Sequence, residues 1–158
     1  IEHGIYLDDE AIQMMLDAGT YLVPTLIAPQ GVLDAVDRGI EVPAYALEKA
    51  AQVVDVHRTS VRKAIEAGVK IAMGTDAGVT PHGQNLSELP LMESLGMTAA
   101  AVWESSTRVA AELMGIDDEI GTVEQGKLAD LVIWEGDSLE LSGLRDRVGT
   151  VIQGGAVC

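Results

Sequence analysis

Three residues stand where β-prone runs of this sequence give out, and their types set the chemistry it could perform. His3 belongs to the opening run Ile1–Ile5, Thr25 follows TYLVP, and Asp76 follows VKIAM across Gly74 and Thr75. In a parallel sheet covered by helices, ligands gather at the carboxyl ends of the strands, so residues at these positions carry the most information. A neutral imidazole and a carboxylate from neighbouring strand ends suit a divalent metal, zinc foremost. Taken singly they say less: a histidine near a chain start is commonly just polar, and an aspartate after a strand is commonly a helix cap.

The elements that would position these residues follow from spacing. Asp8, Asp9 and Glu10 are acids where a helix N-terminus favours negative charge, Ile12, Met15 and Leu16 recur at helical spacing, and Gly19 is placed to end the helix. A strand is expected over Thr20–Leu26, with Pro24 in its last residues because proline cannot donate a ladder hydrogen bond. Ile27–Val42, punctuated by Pro29, Gly31 and Gly39, reads as a long excursion with at most a short helix. Pro43 then opens an amphipathic helix of about six turns, with Leu47, Ala51, Val54, Val61 and Ile65 on one stripe and Gly68 at its end. Val69–Met73 follows as a strand. Two successive βα units joined at Gly68 imply a parallel sheet. Beyond the polar loop Ala77–Asn85, helices are expected over Leu86–Leu95 and Thr98–Met114, with Thr98 as N-cap. From Ile116 onward, glycines punctuate short β-prone runs, chiefly Ala129–Trp134 and Thr150–Ile152. The fold class is α/β, with an α/β part over residues 1–115 and a small β part over 116–158.

The 158 residues suffice for one ordinary domain. Against 25 Asp and Glu stand 10 Lys and Arg, a formal charge of -15. That surface repels phosphate backbones and anionic headgroups, so no nucleic acid and no membrane partner is expected, whereas a cation fits. No run reaches the roughly 18 apolar residues of a membrane helix, and the start does not resemble a signal peptide. The single cysteine, Cys158, excludes an intramolecular disulfide and fits a reducing compartment, so a cytoplasmic location is expected.

The runs IEHG, LVPTL, IAMGTDAG, PHGQNLSEL and IGTVEQGKLADLVIWEGD resemble the carboxyl half of the amidohydrolase superfamily, the metal-dependent (β/α)8 barrel hydrolases. The similarity covers nearly the whole chain. Its most specific piece is GxxxxGKxADLV, which in that family marks chain returning to a β-sandwich beside the barrel. Within the family the wording is nearest to the imidazolonepropionase and Xaa-Pro or Xaa-Arg dipeptidase branch. The resemblance implies a partial TIM barrel, strands six to eight, followed by part of a small β-sandwich. Residues 1–115 are then the barrel part, and 116–158 hold the helix end and sandwich strands. It further implies that His3 and Asp76 are metal ligands and that Asp76 is catalytic, carrying a proton from the attacking water to the leaving group. His82, in the loop beyond Asp76, resembles a substrate-binding position, the alternative being a surface histidine. His57 reads as a mid-helix residue away from the site, Arg108 as structural, and Glu88 as either a loop-orienting or a surface acid.

The family pattern also has an H-x-H pair ending the first strand, a carboxylated lysine or glutamate from the fourth and a histidine from the fifth. None is found here, and only three histidines exist. A (β/α)8 barrel takes about 250 residues. The expectation is therefore a carboxyl-terminal fragment of a metal-dependent hydrolase of amide C–N bonds, dipeptide ones included, inactive alone. Its cofactor is expected to be zinc, one or two ions in the complete enzyme. Expected partners are a small-molecule or dipeptide substrate, and either a second copy of the chain or the missing amino-terminal half. Two alternatives stay open: a cyclic-amide hydrolase or deaminase of the same superfamily, and a noncatalytic acidic assembly module.

Overall fold

The acids at positions 8–10 start a helix, as their charge predicts. In α1 (Asp9–Ala18) the Asp8 carboxylate accepts from the Ala11 N–H at 2.8 Å, and the helix ends at Gly19. The computed structural model describes residues 1–37 and 39–158. After α1 comes β1 (Tyr21–Leu22), which pairs in parallel with β2 (Lys70–Ile71), Tyr21 opposite Lys70 and Leu22 opposite Ile71. On the other edge of β1, Val23 forms a parallel bridge to Glu2, with Val23 N–H donating to the Ile1 carbonyl and His3 N–H to the Val23 carbonyl. Three parallel segments therefore lie side by side, and their carboxyl ends leave from one edge.

The crossover from β1 to β2 runs through α2 (Ile27–Asp37) and α3 (Ala44–Ala67). The excursion expected over Ile27–Val42 is thus largely an 11-residue helix. Pro29 falls in its first turn, where a missing N–H costs nothing. Gly31 does not break it; it permits a close approach, since a Cβ there would lie 2.1 Å from Thr80 Cγ2 in the loop beyond Asp76. In α3 the buried residues are Ala50, Val54, His57, Ser60, Val61 and Ala64. The inward face is rotated from the predicted stripe and includes two polar side chains. Gly68 ends the helix at φ 87°, a left-handed turn that costs glycine nothing.

Beyond β2 the chain forms α4 (Glu88–Ser94), α5 (Ala99–Ser106) and α6 (Arg108–Met114). Thr98 caps α5, accepting from Ala101 N–H at 3.2 Å. The single helix expected over Thr98–Met114 is broken at Thr107, whose backbone turns to φ -128° and ψ -93°. Arg108 is structural, as its position suggests: it pairs with Glu104 at 2.8 Å and with Glu112. Past Gly115 an antiparallel sheet forms in the order β3 (Leu131–Trp134), β4 (Val148–Gln153), β5 (Ala156–Val157). It packs onto the helices through Trp134 and Trp103, ring centroids 4.9 Å apart. Leu141 and Leu144 join the buried cluster of Leu22, Val61, Met92 and Val102. No helix among the described residues is long and apolar enough to cross a membrane.

Glu88, in the first turn of α4, is fully buried. Its two carboxylate oxygens accept from Leu26 N–H and Ile27 N–H, each at 2.8 Å, at the entrance to α2. Burial disfavours the charged form more than these bonds favour it, and pushes the carboxyl up to about 7 from an ordinary 4.5. The folded protein therefore keeps a proton that the unfolded chain has released. This contribution to stability is fully present below about pH 4.5, is lost as pH rises to about 7, and amounts to roughly 3 kcal/mol. Denaturant unfolding of wild type and Glu88→Gln at pH 4.5 and pH 8 should show the stability difference moving against wild type by about that amount. A difference that does not vary with pH would contradict the shift.

Candidate functional site

All three segments leave the sheet through a strained residue. Among the described residues, the only non-glycine positions with positive φ are His3 (63°), Thr25 (52°) and Asp76 (51°). For a β-branched residue such as Thr25 this conformation is a genuine outlier. Each costs of order 1–3 kcal/mol and persists only where its surroundings enforce it.

Neighbouring hydrogen bonds enforce it here. His3 Nδ1 and Thr25 Oγ1 are hydrogen-bonded at 2.6 Å, linking two of the three strand ends. His57 Nε2 donates to the carbonyl of His3 at 2.8 Å. Ser60, one turn along α3, donates from Oγ to the Gly4 carbonyl at 2.5 Å and accepts from Leu7 N–H at 2.9 Å. The expectation that His57 lies away from the site is therefore overturned: at 1% exposure it anchors the backbone of the strand end itself. Burial pushes its imidazole below the usual histidine range, against the opposing pull of the His3 and Pro24 carbonyls. Glu88 anchors the residues directly after Thr25, so of its two readings the loop-orienting one holds. On the third strand end, Asn85 Nδ2 donates to Thr75 Oγ1 at 3.3 Å.

The three strand ends open onto one cavity of about 380 Å³. His3, Thr25, Asp76 and His57 line it, and Ala28, Pro29 and Val32 from α2 and Ala50 and Val53 from α3 supply apolar wall. Asp76 is the single carboxylate in the lining, and Lys49 its single lysine or arginine. His82 is exposed and does not line this cavity. An imidazole and a carboxylate fit a divalent metal in kind, yet a catalytic zinc takes three protein ligands. Among the described residues no three His, Cys, Asp or Glu side chains are grouped to hold a metal ion. His3 and Asp76 do not complete a coordination sphere.

Two of the residues that build this site were open to sequence reasoning. His57 sits at the spacing of Ala50, Val54, Val61 and Ala64, so it shares the buried stripe of α3. For Glu88 the sequence offers only the apolar Leu89 and Met92 beside it, whose burial in the structure shows that this face of the helix turns inward.

The amidohydrolase family model matches residues 1–157. An uncharacterised protein of Mycobacterium tuberculosis is 38% identical over 127 residues, which is 75% of this chain and 33% of that protein. The imidazolonepropionase of Geobacillus kaustophilus is 30% identical over 138 residues, 84% of this chain and 27% of its own. The chain thus spans about a third or less of these relatives' length. A crystal structure of a Xaa-Pro dipeptidase with bound methionine in the active site superposes on all of this chain and on 39% of its own, at 40% identity and a TM-score of 0.90. A match from the first residue to the last but one, on a fold that carries its polar residues at adjacent parallel strand ends, means that this chain belongs to the amidohydrolase family.

Proposed function

We propose that the chain forms one side of the active site of a metal-dependent hydrolase of amide C–N bonds, with a dipeptide or N-acyl amino acid as substrate. The observation that carries this reading is the convergence of His3, Thr25 and Asp76, each forced into a left-handed backbone, on a single cavity. The family is in general metal-dependent, and the similarity to a Xaa-Pro dipeptidase supports the substrate class. In this reading residues 1–115 are strands six to eight of a barrel, and 116–158 are the end of the last helix and part of a β-sandwich. A cyclic amide is the second reading, favoured by the similarity to imidazolonepropionase.

Each residue has a role in the proposal. With Nδ1–H of His3 donating to Thr25 Oγ1, its Nε2 keeps a lone pair for a metal, zinc by donor type. A bound divalent ion would polarise the scissile carbonyl and acidify the attacking water. Asp76 takes the proton from that water on its carboxylate and delivers it to the leaving nitrogen. The apolar walls of α2 and α3 take the hydrophobic part of the substrate. His82, exposed in the loop beyond Asp76 and outside the cavity lining, is assigned the substrate's polar end.

In the full-length protein, Asp76→Asn should abolish turnover while leaving the unfolding transition in place, because the amide keeps the shape and cannot carry the proton. Retention of more than about a tenth of kcat, under 1.4 kcal/mol of barrier, would remove the role. His3→Ala should lose metal first, read by elemental analysis. His82→Ala should change kcat/KM by more than about twofold, roughly 0.4 kcal/mol, with metal content unchanged. Constants within that range would take His82 out of the site. The 158-residue chain by itself should hydrolyse no dipeptide and should self-associate in sedimentation unless another polypeptide covers it. Its exposed Val123, Leu128, Ile133, Leu139 and Val157 provide the sticky surface. A stable, active monomer would overturn this expectation.

A further inference from the structure

We propose that Glu88 is a positioning residue for His3, acting through the Leu26 and Ile27 amides and through Thr25. The proposal rests on the reading of His3 as a metal ligand.

Glu88 is 0% exposed, and both its oxygens are spent on the backbone amides of Leu26 and Ile27. Those amides belong to the two residues directly after Thr25. They also stand at the N-terminus of α2, where the helix dipole favours a negative charge. A buried carboxylate is a poor device for stability alone, since an apolar side chain of similar size avoids its desolvation. What it does supply is direction. Two hydrogen bonds from successive amides to the oxygens of one buried carboxyl group fix the plane of the chain as it leaves Thr25, which is the residue least able to hold a positive φ unaided. Thr25 is 3% exposed, and its hydroxyl in turn meets His3 Nδ1 at 2.6 Å.

The resulting line of contacts runs from α4 to the turn before α2, to the Thr25 hydroxyl, and to the His3 ring. A carboxylate that rotates or shortens lets Leu26 and Ile27 relax, and Thr25 then has no reason to keep its left-handed backbone. The hydroxyl swings, and Nδ1 of His3 loses the hydrogen-bond partner that sets the aim of its ring. α4 follows the loop beyond Asp76 after a single 3-10 turn (Asn85–Ser87), so the helix that steadies the strand end carrying Thr25 begins close to where the loop after Asp76 finishes.

The test is a double-mutant cycle in the full-length protein with Glu88→Gln, Thr25→Val and the pair. Two quantities are read on folded samples: Zn²⁺ affinity, by competition with a chromophoric chelator, and the His3 tautomer in the metal-free protein, by long-range 1H–15N spectra. Each single variant should weaken Zn²⁺ binding about tenfold or more, the usual effect of losing a partner behind a ligand. The pair should be no weaker than the weaker single, because both changes cut one line of contacts. The His3 spectrum should shift in both singles, which a merely stabilising role for Glu88 would not produce. Additive losses, or a Glu88→Gln protein with Zn²⁺ affinity within twofold of wild type and an unshifted His3 spectrum, would overturn the proposal. Should Glu88→Gln fail to fold, Glu88→Asp, which keeps the carboxyl group and shortens the reach, is held to the same criteria. Wild-type Zn²⁺ affinity in His3→Ala would instead defeat the ligand reading, and the metal-free spectra would still decide whether Glu88 positions the ring.

Discussion

A left-handed backbone costs a residue with a side chain of order 1–3 kcal/mol, and His3, Thr25 and Asp76 each carry one at the end of a parallel strand segment. Relaxing any of the three would turn its side chain away from the cavity they share. The remainder of the fold can be understood as what prevents that relaxation. Parallel pairing brings the three ends to one edge. α3 grips the first through His57 and Ser60, and α4 grips the second through Glu88. The third is held by Asn85 and by the packing of Thr80 against Gly31 of α2.

The polar groups buried under this edge share a pattern. His57, Ser60 and Glu88 bond to backbone carbonyls or amides of the strand-end turns rather than to the site side chains. A buried polar side chain that satisfies a backbone group avoids the penalty of about 1–3 kcal/mol for leaving that group unpaired. It also holds the chain in one place, which a leucine filling the same volume would not do. Apolar packing supplies the mass of the core from Leu22, Val61, Met92 and Val102, while these three side chains set the shape of its upper edge.

How far this was legible in the sequence depends on how local the cause is. Asp8, Gly19, Gly68 and Thr98 act on amides and carbonyls within four residues, and each ends or starts its helix where the sequence places it. His3, Thr25 and Asp76 were visible because they follow apolar runs, though their shared backbone strain was not. α2 was hidden by Pro29 and Gly31, which read as breaks; the first occupies a helical turn that tolerates it, and the second is required by a threonine far along the chain. The inward face of α3 was misjudged because a hydrophobic stripe counts Ala51 and overlooks His57 and Ser60. Glu88 carried no distinguishing local signal beyond its buried neighbours, since its partners lie more than 60 residues away in sequence.

Register is what makes the strand ends level with one another. Tyr21 opposite Lys70 and Leu22 opposite Ile71 set how far β2 extends beyond β1, and the bridge from Glu2 to Val23 does the same for the opening segment. A slip of one residue between β1 and β2 would invert every side chain of the moved strand, putting Leu22 or Ile71 into solvent. Both are buried, at 0% and 6% exposure, so the core forbids the slip. The heights of Thr25 and Asp76 are therefore fixed by apolar residues three or more positions before them, while the segment carrying His3 is held by its backbone hydrogen bonds to Val23. His3 and Asp76 need no contact with each other for their arrangement to be defined, because strand register and backbone hydrogen bonds set it.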